Sequence, residues 1–404
     1  MSWTARTEGS APAGATGSAH RSPGWVAGLD AARGLVLIGL VSGPMLPGDD
    51  GLPGPAWSSL LHPGPAAALV ALLAGVGLAL GSGGRFPHAG RWLAADRVGA
   101  AVRAVLVAGL GLGVGALLPE DVPAGDVLVY YGLLCLLAIP FLHLSATALF
   151  AGAAVCWVVA PLPVQALTAL LPADTSSGSA FAGVADGPAG TFAQLLLTGT
   201  YPALPHLTCL LVGLGLGRVR LRDRGIQVRL LAVGAGVVLV DRTTAFLLHA
   251  AGGYGQGPAT RGMGEDPLGR MPMWPLVAWP TDSVWWPAVA TSHAGPLWAI
   301  VPGLGVGLLV LGGCLLISRT SGAWLPALAA MGAVGLTLYT AHLVALSFEA
   351  RDDQSSLWYL VHLVVTALVA LRWHRARGRG PLEQVVDASV QATRRAVLHR
   401  SHRT

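Results

Sequence analysis

Six of the twelve histidines in this chain lie toward one end of a long apolar segment. An imidazole titrates near neutral pH, so it can accept or donate a proton during catalysis or transport. Ionisable side chains within a membrane are costly and usually have a function. The pattern therefore indicates proton transfer or acid–base chemistry at one membrane face. The six histidines are His62, His206, His249, His293, His342 and His362.

Two of these histidines are candidates for a catalytic base. His342 lies in the outer part of a predicted span, and Tyr339 lies one helical turn before it. Tyr339 can therefore orient the imidazole or relay a proton to it. His293 begins another predicted span. A lone membrane histidine more often packs or hydrogen-bonds within the bundle, and for both residues the two interpretations stay open.

Two pairs of opposite charge also lie in predicted spans. Asp30 and Arg33 share a helix face, so they can neutralise each other. Alternatively, Arg33 can bind the phosphate of a donor near the cytoplasmic boundary. Asp241 and Arg242 lie deeper in their span, and we predict that they face the bundle interior or a wet cavity and contribute to the site.

The composition indicates that membrane-spanning helices position these residues. Apolar residues make up 53% of the chain and charged residues 11%, and the mean hydropathy is +0.61. A soluble domain carries about 25% charged residues. We predict an all-α polytopic membrane bundle of about ten transmembrane helices, each approaching the roughly 20 apolar residues that a bilayer requires. The predicted spans are 26–46, 62–82, 98–118, 127–143, 147–171, 199–218, 229–250, 290–318, 325–348 and 357–373.

The arginines predict the orientation of the bundle. All 25 basic residues are arginine, and most cluster at 85–103, at 218–229 and after 372, whereas the alternate loops are acidic. The positive-inside rule places the arginine-rich loops and both termini in the cytoplasm. The absence of lysine and asparagine fits a GC-rich bacterial genome, so we expect a multi-pass protein of the plasma (inner) membrane. The sequence pI of about 9.4 follows from loops that face anionic membrane lipid and requires no nucleic acid.

Three regions follow from this pattern. Residues 1–23 are predicted to be a disordered cytoplasmic tail, and residues 24–375 the ten-span membrane domain. Residues 376–404 form a basic cytoplasmic tail that is either an interfacial helix or partly disordered. The four cysteines all lie in apolar segments without a C-x-x-C pair, so we expect neither a disulfide nor a metal site.

Five short motifs, taken together, resemble one known family. They are LDAARGLVLIGL (29–40), LLAGVGLALGSG (72–83), TYPALP with VGLGLGR (200–218), GLTLYTAHL (335–343) and RGPLE (379–383). In these segments the chain resembles the heparan-alpha-glucosaminide N-acetyltransferase family and the related bacterial YeiB-like proteins. It departs from them at Ser42-Gly43-Pro44 and at Gly64-Pro65, where those proteins carry polar residues.

The resemblance implies a membrane acyltransferase of the bacterial cell envelope. Acetyl-CoA would be the cytoplasmic acyl donor, and a histidine near the outer face would pass the acyl group to a glycan, amino-sugar or lipid-linked acceptor. Asp30 and Arg33 would then bind the cofactor, with His342 or His293 as the base. A small-molecule or proton-coupled transporter and a non-catalytic membrane partner protein are the alternatives, and the chain could act as a homo-oligomer.

Overall fold

The regular secondary structure of the described residues is entirely helical, which confirms the all-α class. The structure is a computed structural model, and it describes residues 24–45, 63–118, 126–160, 187–197, 202–250, 300–320, 325–348 and 355–400. The predicted tail 1–23 lies outside these ranges. The helices are α1 (Gly24–Met45), α2 (Pro63–Gly81), α3 (Gly90–Gly115), α4 (Asp126–Ala138), α5 (Ala146–Val159), α6 (Pro188–Leu197), α7 (Ala203–Gly217), α8 (Arg224–Ala250), α9 (Ile300–Ile317), α10 (Leu325–Ala333), α11 (Gly335–Leu346), α12 (Ser355–Arg377) and α13 (Pro381–Arg400).

Several of these helices are long and apolar enough to cross a membrane. Within the described residues there are four such segments, Trp25–Ser42, Gly90–Gly115, Ile300–Ile317 and Leu357–Arg377. The bent pair α10 and α11 makes a fifth if it is taken as one span. Shorter apolar helices lie in α2, α4, α5 and α7. Every segment predicted as a span therefore contains a helix or this bent pair.

Helix α2 lies at the centre of the bundle, where it contacts α1, α4, α7 and α9. Its contact with α7 is made main chain to main chain. A Cβ atom at Gly75 would overlap the Leu210 carbonyl oxygen, and one at Gly213 would overlap the Leu72 carbonyl oxygen. The glycines are therefore required where the two helices cross, as expected for close helix packing.

The C-terminal end of α2 is closed by the buried side chain of Arg218. Its Nη1 atom donates to the carbonyl oxygens of Ala79, Ser82 and Gly84 at 3.0, 3.1 and 2.7 Å. Its Nη2 atom donates to Ser82 Oγ and to the Leu142 carbonyl oxygen at 3.0 and 2.5 Å. The last carbonyls of a helix lack partners within the helix, and a cation at that end is favourable. Arg218, which the sequence pattern placed among the cytoplasmic loop arginines, is therefore a structural cap.

The C-terminal tail forms α13, which packs against α3. Residues Pro381–Arg400 of this tail are helical, and its predicted place at the membrane interface stays a prediction. Val386 and Val390 are buried on its inner face, and Val390 lies close to Gly99 of α3. The apolar face of this amphipathic helix is thus covered by the protein itself.

Ion pairs hold α13 on either side of that apolar contact. Arg103 Nη2 lies 2.7 Å from Asp387 Oδ1, and Arg394 Nη2 lies 2.7 Å from Asp96 Oδ1. His88 Nδ1 lies 2.7 Å from the other oxygen of Asp96. Asp96 is almost completely buried, so its negative charge depends on these partners.

Replacing Arg218 with alanine should destabilise the fold by about 3 kcal/mol, because buried acceptors lose their donor. Thermal unfolding in detergent measures this as a lower Tm. The exposed neighbour Arg220 supplies the control, since R220A removes the same charge without removing the cap. Equal melting temperatures for R218A and R220A would contradict the capping role.

Candidate functional site

His342 of α11 and His362 of α12 form a hydrogen-bonded pair. His342 Nδ1 lies 3.1 Å from His362 Nε2. The ring centroids are 4.7 Å apart, and the ring planes meet at 66°. His342 is 2% exposed, whereas His362 is only partly buried. In a pair of neutral imidazoles one nitrogen donates and the other accepts, so the contact holds a single N–H.

The other nitrogen of His342, Nε2, is fully buried. It has no hydrogen-bond partner among the residues that the structure describes. Buried polar atoms nearly always have a partner, and an exception calls for an explanation such as catalysis or an unseen water or ion. This atom is therefore the strongest single indication of chemistry in the described part of the chain.

Tyr339 packs beside His342 but does not hydrogen-bond to it. The two ring centroids are 6.2 Å apart, and Tyr339 is buried. His342 Nδ1 is hydrogen-bonded to His362, and Nε2 has no hydrogen-bond partner among the described residues, Tyr339 included. His362 makes the hydrogen bond to His342 Nδ1, and the orienting role of Tyr339 stays a prediction.

The helix that carries His342 begins at a break inside the bundle. α10 and α11 meet at an angle of 77° around Val334. Glu383 of α13 accepts hydrogen bonds from the backbone N–H groups of Leu336 and Thr337 at 2.7 and 3.2 Å. The Thr337 hydroxyl also donates to Glu383, at 2.5 Å. A carboxylate satisfies the free N–H groups of a helix start and is favoured by the helix dipole.

This cap joins two of the motifs that carry the family resemblance. Thr337 belongs to GLTLYTAHL and Glu383 to RGPLE, and they are in direct contact. Because α11 is short and starts at this carboxylate, Glu383 helps to determine where His342 lies.

The predicted pairing of Asp30 with Arg33 is confirmed. Arg33 Nη1 donates to Asp30 Oδ1 at 2.7 Å, and the Arg33 side chain remains 38% exposed. Its Nη2 atom lies close to Gly77 of α2. The pairing neutralises Asp30 but leaves part of the guanidinium open to a ligand.

A second arginine approaches the same region. Tyr131 of α4 interacts electrostatically with both Arg103 and Arg33. Arg103 is itself paired with Asp387. Two guanidinium groups, one from α1 and one from α3, therefore lie near one tyrosine, and each has a carboxylate partner.

His206, one of the six histidines near the end of an apolar segment, is buried at the start of α7. Its Nδ1 lies 2.8 Å from the Pro202 carbonyl oxygen. A carbonyl can only accept, so Nδ1 carries the proton and Nε2 is the accepting nitrogen. The side chain closes a small, mainly apolar cleft between α2, α4 and α7. The cleft is lined by Ala67, Val70, Val127, Tyr130, Tyr131, Leu134 and His206.

Asp241 and Arg242 do not both face the interior of the described bundle. Arg242 Nε lies 3.7 Å from Asp241 Oδ2, and the side chains are 46% and 11% exposed, respectively. Successive residues on a helix point in different directions, so one apolar environment cannot cover both. Their helix, α8, packs mainly on α9, whereas α11 packs against α1 and α13. The structure therefore does not place this pair with His342.

Two other predictions concern the second candidate base and the absence of a metal site. His293, the second candidate base, lies outside the described residues, as does His62. Within the described ranges, no group of three or more histidine, cysteine, aspartate or glutamate side chains could hold a metal ion.

Sequence reasoning missed two residues of this site. His362 was one of the six histidines near the end of an apolar segment, but the sequence carries no signal that pairs it with His342. Glu383 has the position of an ordinary acidic residue in a first helical turn, which is favourable for its own helix. Its contact with a different helix is a tertiary feature.

Comparison with protein-family models and with curated protein sequences finds no match for this chain.

Removing the Glu383 carboxylate should destabilise α11, because two backbone N–H groups and a hydroxyl lose their acceptor. We expect E383A to lower the stability by about 2 kcal/mol and E383Q, which keeps an acceptor oxygen, to lower it by about 1 kcal/mol. Thermal unfolding of the purified protein measures both. If E383A melts at the wild-type temperature, the cap does not hold α11.

Proposed function

We propose that this protein is a multi-span membrane acyltransferase that uses acetyl-CoA or another acyl-CoA. The acyl group would move from the cytoplasmic donor to a glycan, amino-sugar or lipid-linked acceptor at the outer face. The observation that carries the proposal is His342, whose buried Nε2 lacks a described partner while Nδ1 is held by His362. Such a held imidazole is suited to accept a proton from a bound acceptor.

For this reaction the protein must align the donor and the acceptor and transfer the acceptor proton. The C–S bond of the thioester breaks and a C–O or C–N bond to the acceptor forms. The acceptor proton passes to His342 Nε2 and finally to the leaving thiolate, which departs as the CoA thiol. The thioester is already activated, so alignment of the two substrates supplies a large part of the rate.

Arg33 and Arg103 support the assignment of a donor site on the cytoplasmic side. Both guanidinium groups are partly exposed, at 38% and 31%, and both interact with Tyr131. Arginine recognises phosphate oxygens through paired N–H donors. Arg33 and Arg103 would exchange their carboxylate partners, Asp30 and Asp387, for the diphosphate of the cofactor.

Exposed apolar side chains support insertion in the inner membrane with ten spans. Helix α12 leaves most of its surface uncovered, although it is long enough to cross a bilayer. Its exposed apolar residues are Leu357, Trp358, Leu360, Val361, Val364, Val365, Leu368 and Val369. A large apolar surface of this kind is stable in lipid or against a second copy of the chain, as in a homo-oligomer.

The broken helix favours a second candidate function, proton-coupled transport. Transporters use the N-terminal ends of broken helices to bind anionic substrates within the membrane. The break at Val334 and the adjacent histidine pair fit that arrangement. In this protein, however, the free end of α11 is occupied by Glu383, so the acyltransferase is the better supported proposal. A non-catalytic partner protein would need neither feature.

Replacing His342 with alanine should lower the rate of acyl-CoA turnover by about a hundredfold or more, the usual effect of losing a general base. Release of free CoA by purified protein, with glucosamine or a glycan as acceptor, measures the rate. The exposed His399 provides the control, since H399A should retain wild-type turnover. Wild-type protein that neither binds acetyl-CoA nor releases CoA would reject the acyltransferase and favour the transporter.

The proposed orientation predicts where reporter fusions will report. Fusions after Gly84, Arg222 and Gly378 should report the cytoplasm, because they follow arginine-rich segments. A fusion after Leu118 should report the outer side. An outer signal from the Arg222 fusion would reverse the topology.

A further inference from the structure

We infer that His362 is a positioning residue that fixes the tautomer of His342. On this assignment His342 donates its Nδ1–H to His362 Nε2, so His342 Nε2 always presents its lone pair. The catalytic role that we infer for His362 rests on the proposed function. The tautomer of His342 is a property of the protein without substrate.

The direction of the hydrogen bond follows from the surroundings of His342. If His362 donated instead, the His342 proton would lie on Nε2. That N–H would then be fully buried with no acceptor among the described residues. Buried N–H groups without an acceptor are rarer than buried acceptors that lack a donor. Donation by His342 Nδ1 avoids the less favourable state.

The surroundings of His362 are compatible with its accepting the Nδ1–H of His342. When His362 accepts at Nε2, its own proton lies on Nδ1. His362 is only partly buried, so this proton is not isolated in the interior. A hydrogen bond one turn away also holds this part of α12 against α1. Tyr359, one turn earlier on α12, is hydrogen-bonded to the Ile38 carbonyl oxygen of α1 at 3.4 Å.

His362 would therefore act through His342 and need not touch the substrate. In hydrolase triads a carboxylate holds the imidazole in the productive tautomer and stabilises the imidazolium that forms. Here a neutral imidazole accepts the same Nδ1–H, and no carboxylate hydrogen-bonds to His342 in the described structure. Loss of His362 should lower kcat more than it changes KM, because it alters the base and not the binding of acyl-CoA.

The tautomer can be measured directly by ¹⁵N NMR on protein labelled at histidine. Protonated and unprotonated ring nitrogens give well separated signals, and the H342A spectrum identifies those of His342. We expect wild-type His342 to be protonated at Nδ1 and unprotonated at Nε2. H362L should shift His342 toward the Nε2–H form, and H362Q, which offers an acceptor oxygen in place of His362 Nε2, should restore the wild-type pattern. A wild-type Nε2–H form, or a His342 spectrum unchanged in H362L, would overturn the inference.

Turnover of acetyl-CoA by the same variants separates this inference from the proposed function. H362L should lose about a hundredfold in kcat with KM changed by about twofold or less, and H362Q should recover most of that loss. Wild-type kcat in an H362L protein with an altered tautomer would also overturn the positioning role. If the wild-type protein shows the expected tautomer but no CoA-dependent turnover, the acyltransferase fails while the assignment of the pair stands.

Discussion

The carboxylate of Glu383 holds the start of α11, and the location of the histidine pair depends on that contact. A helix that begins inside a bundle presents backbone N–H groups where water is scarce, and these need an acceptor. Glu383 supplies it from α13. Arg218 solves the opposite problem at the end of α2, where carbonyl groups need donors. In both places a charged side chain completes the hydrogen bonding of the main chain, so the ends of helices can be buried.

Helix α13 connects the two halves of the proposed reaction. Asp387 on this helix is paired with Arg103, one of the two arginines that face Tyr131. One turn earlier, Glu383 caps the helix that carries His342. A phosphate that drew Arg103 away from Asp387 would therefore change the forces on the same short helix that positions the base. In the proposed reaction, contiguous contacts along α13 would link the donor side to the base without a large movement between them.

Local patterns in the sequence predicted the helices and one of the ion pairs. Apolar segment length located the helices within the ten predicted segments, although it missed α6 and the break between α10 and α11. The three-residue spacing of Asp30 and Arg33 was enough to indicate their contact. The same reasoning failed where burial depends on a neighbouring helix. Arg218 has the position of a loop arginine but lies buried against the end of α2. The pairing of His342 with His362 joins two helices, and no spacing rule along the chain predicts it.

The main-chain crossing of α2 and α7 limits how this protein can change during evolution. A side chain that collides with another side chain can be accommodated by shortening its neighbour. At Gly75 and Gly213 the obstacle is a carbonyl oxygen, and no substitution removes it. A larger residue at either position can be tolerated only if the two helices separate, which would disturb the contacts of α2 with α1, α4 and α9 as well. Sequence variation in the bundle should therefore accumulate on its exposed surfaces, while the two glycines at this crossing stay unchanged.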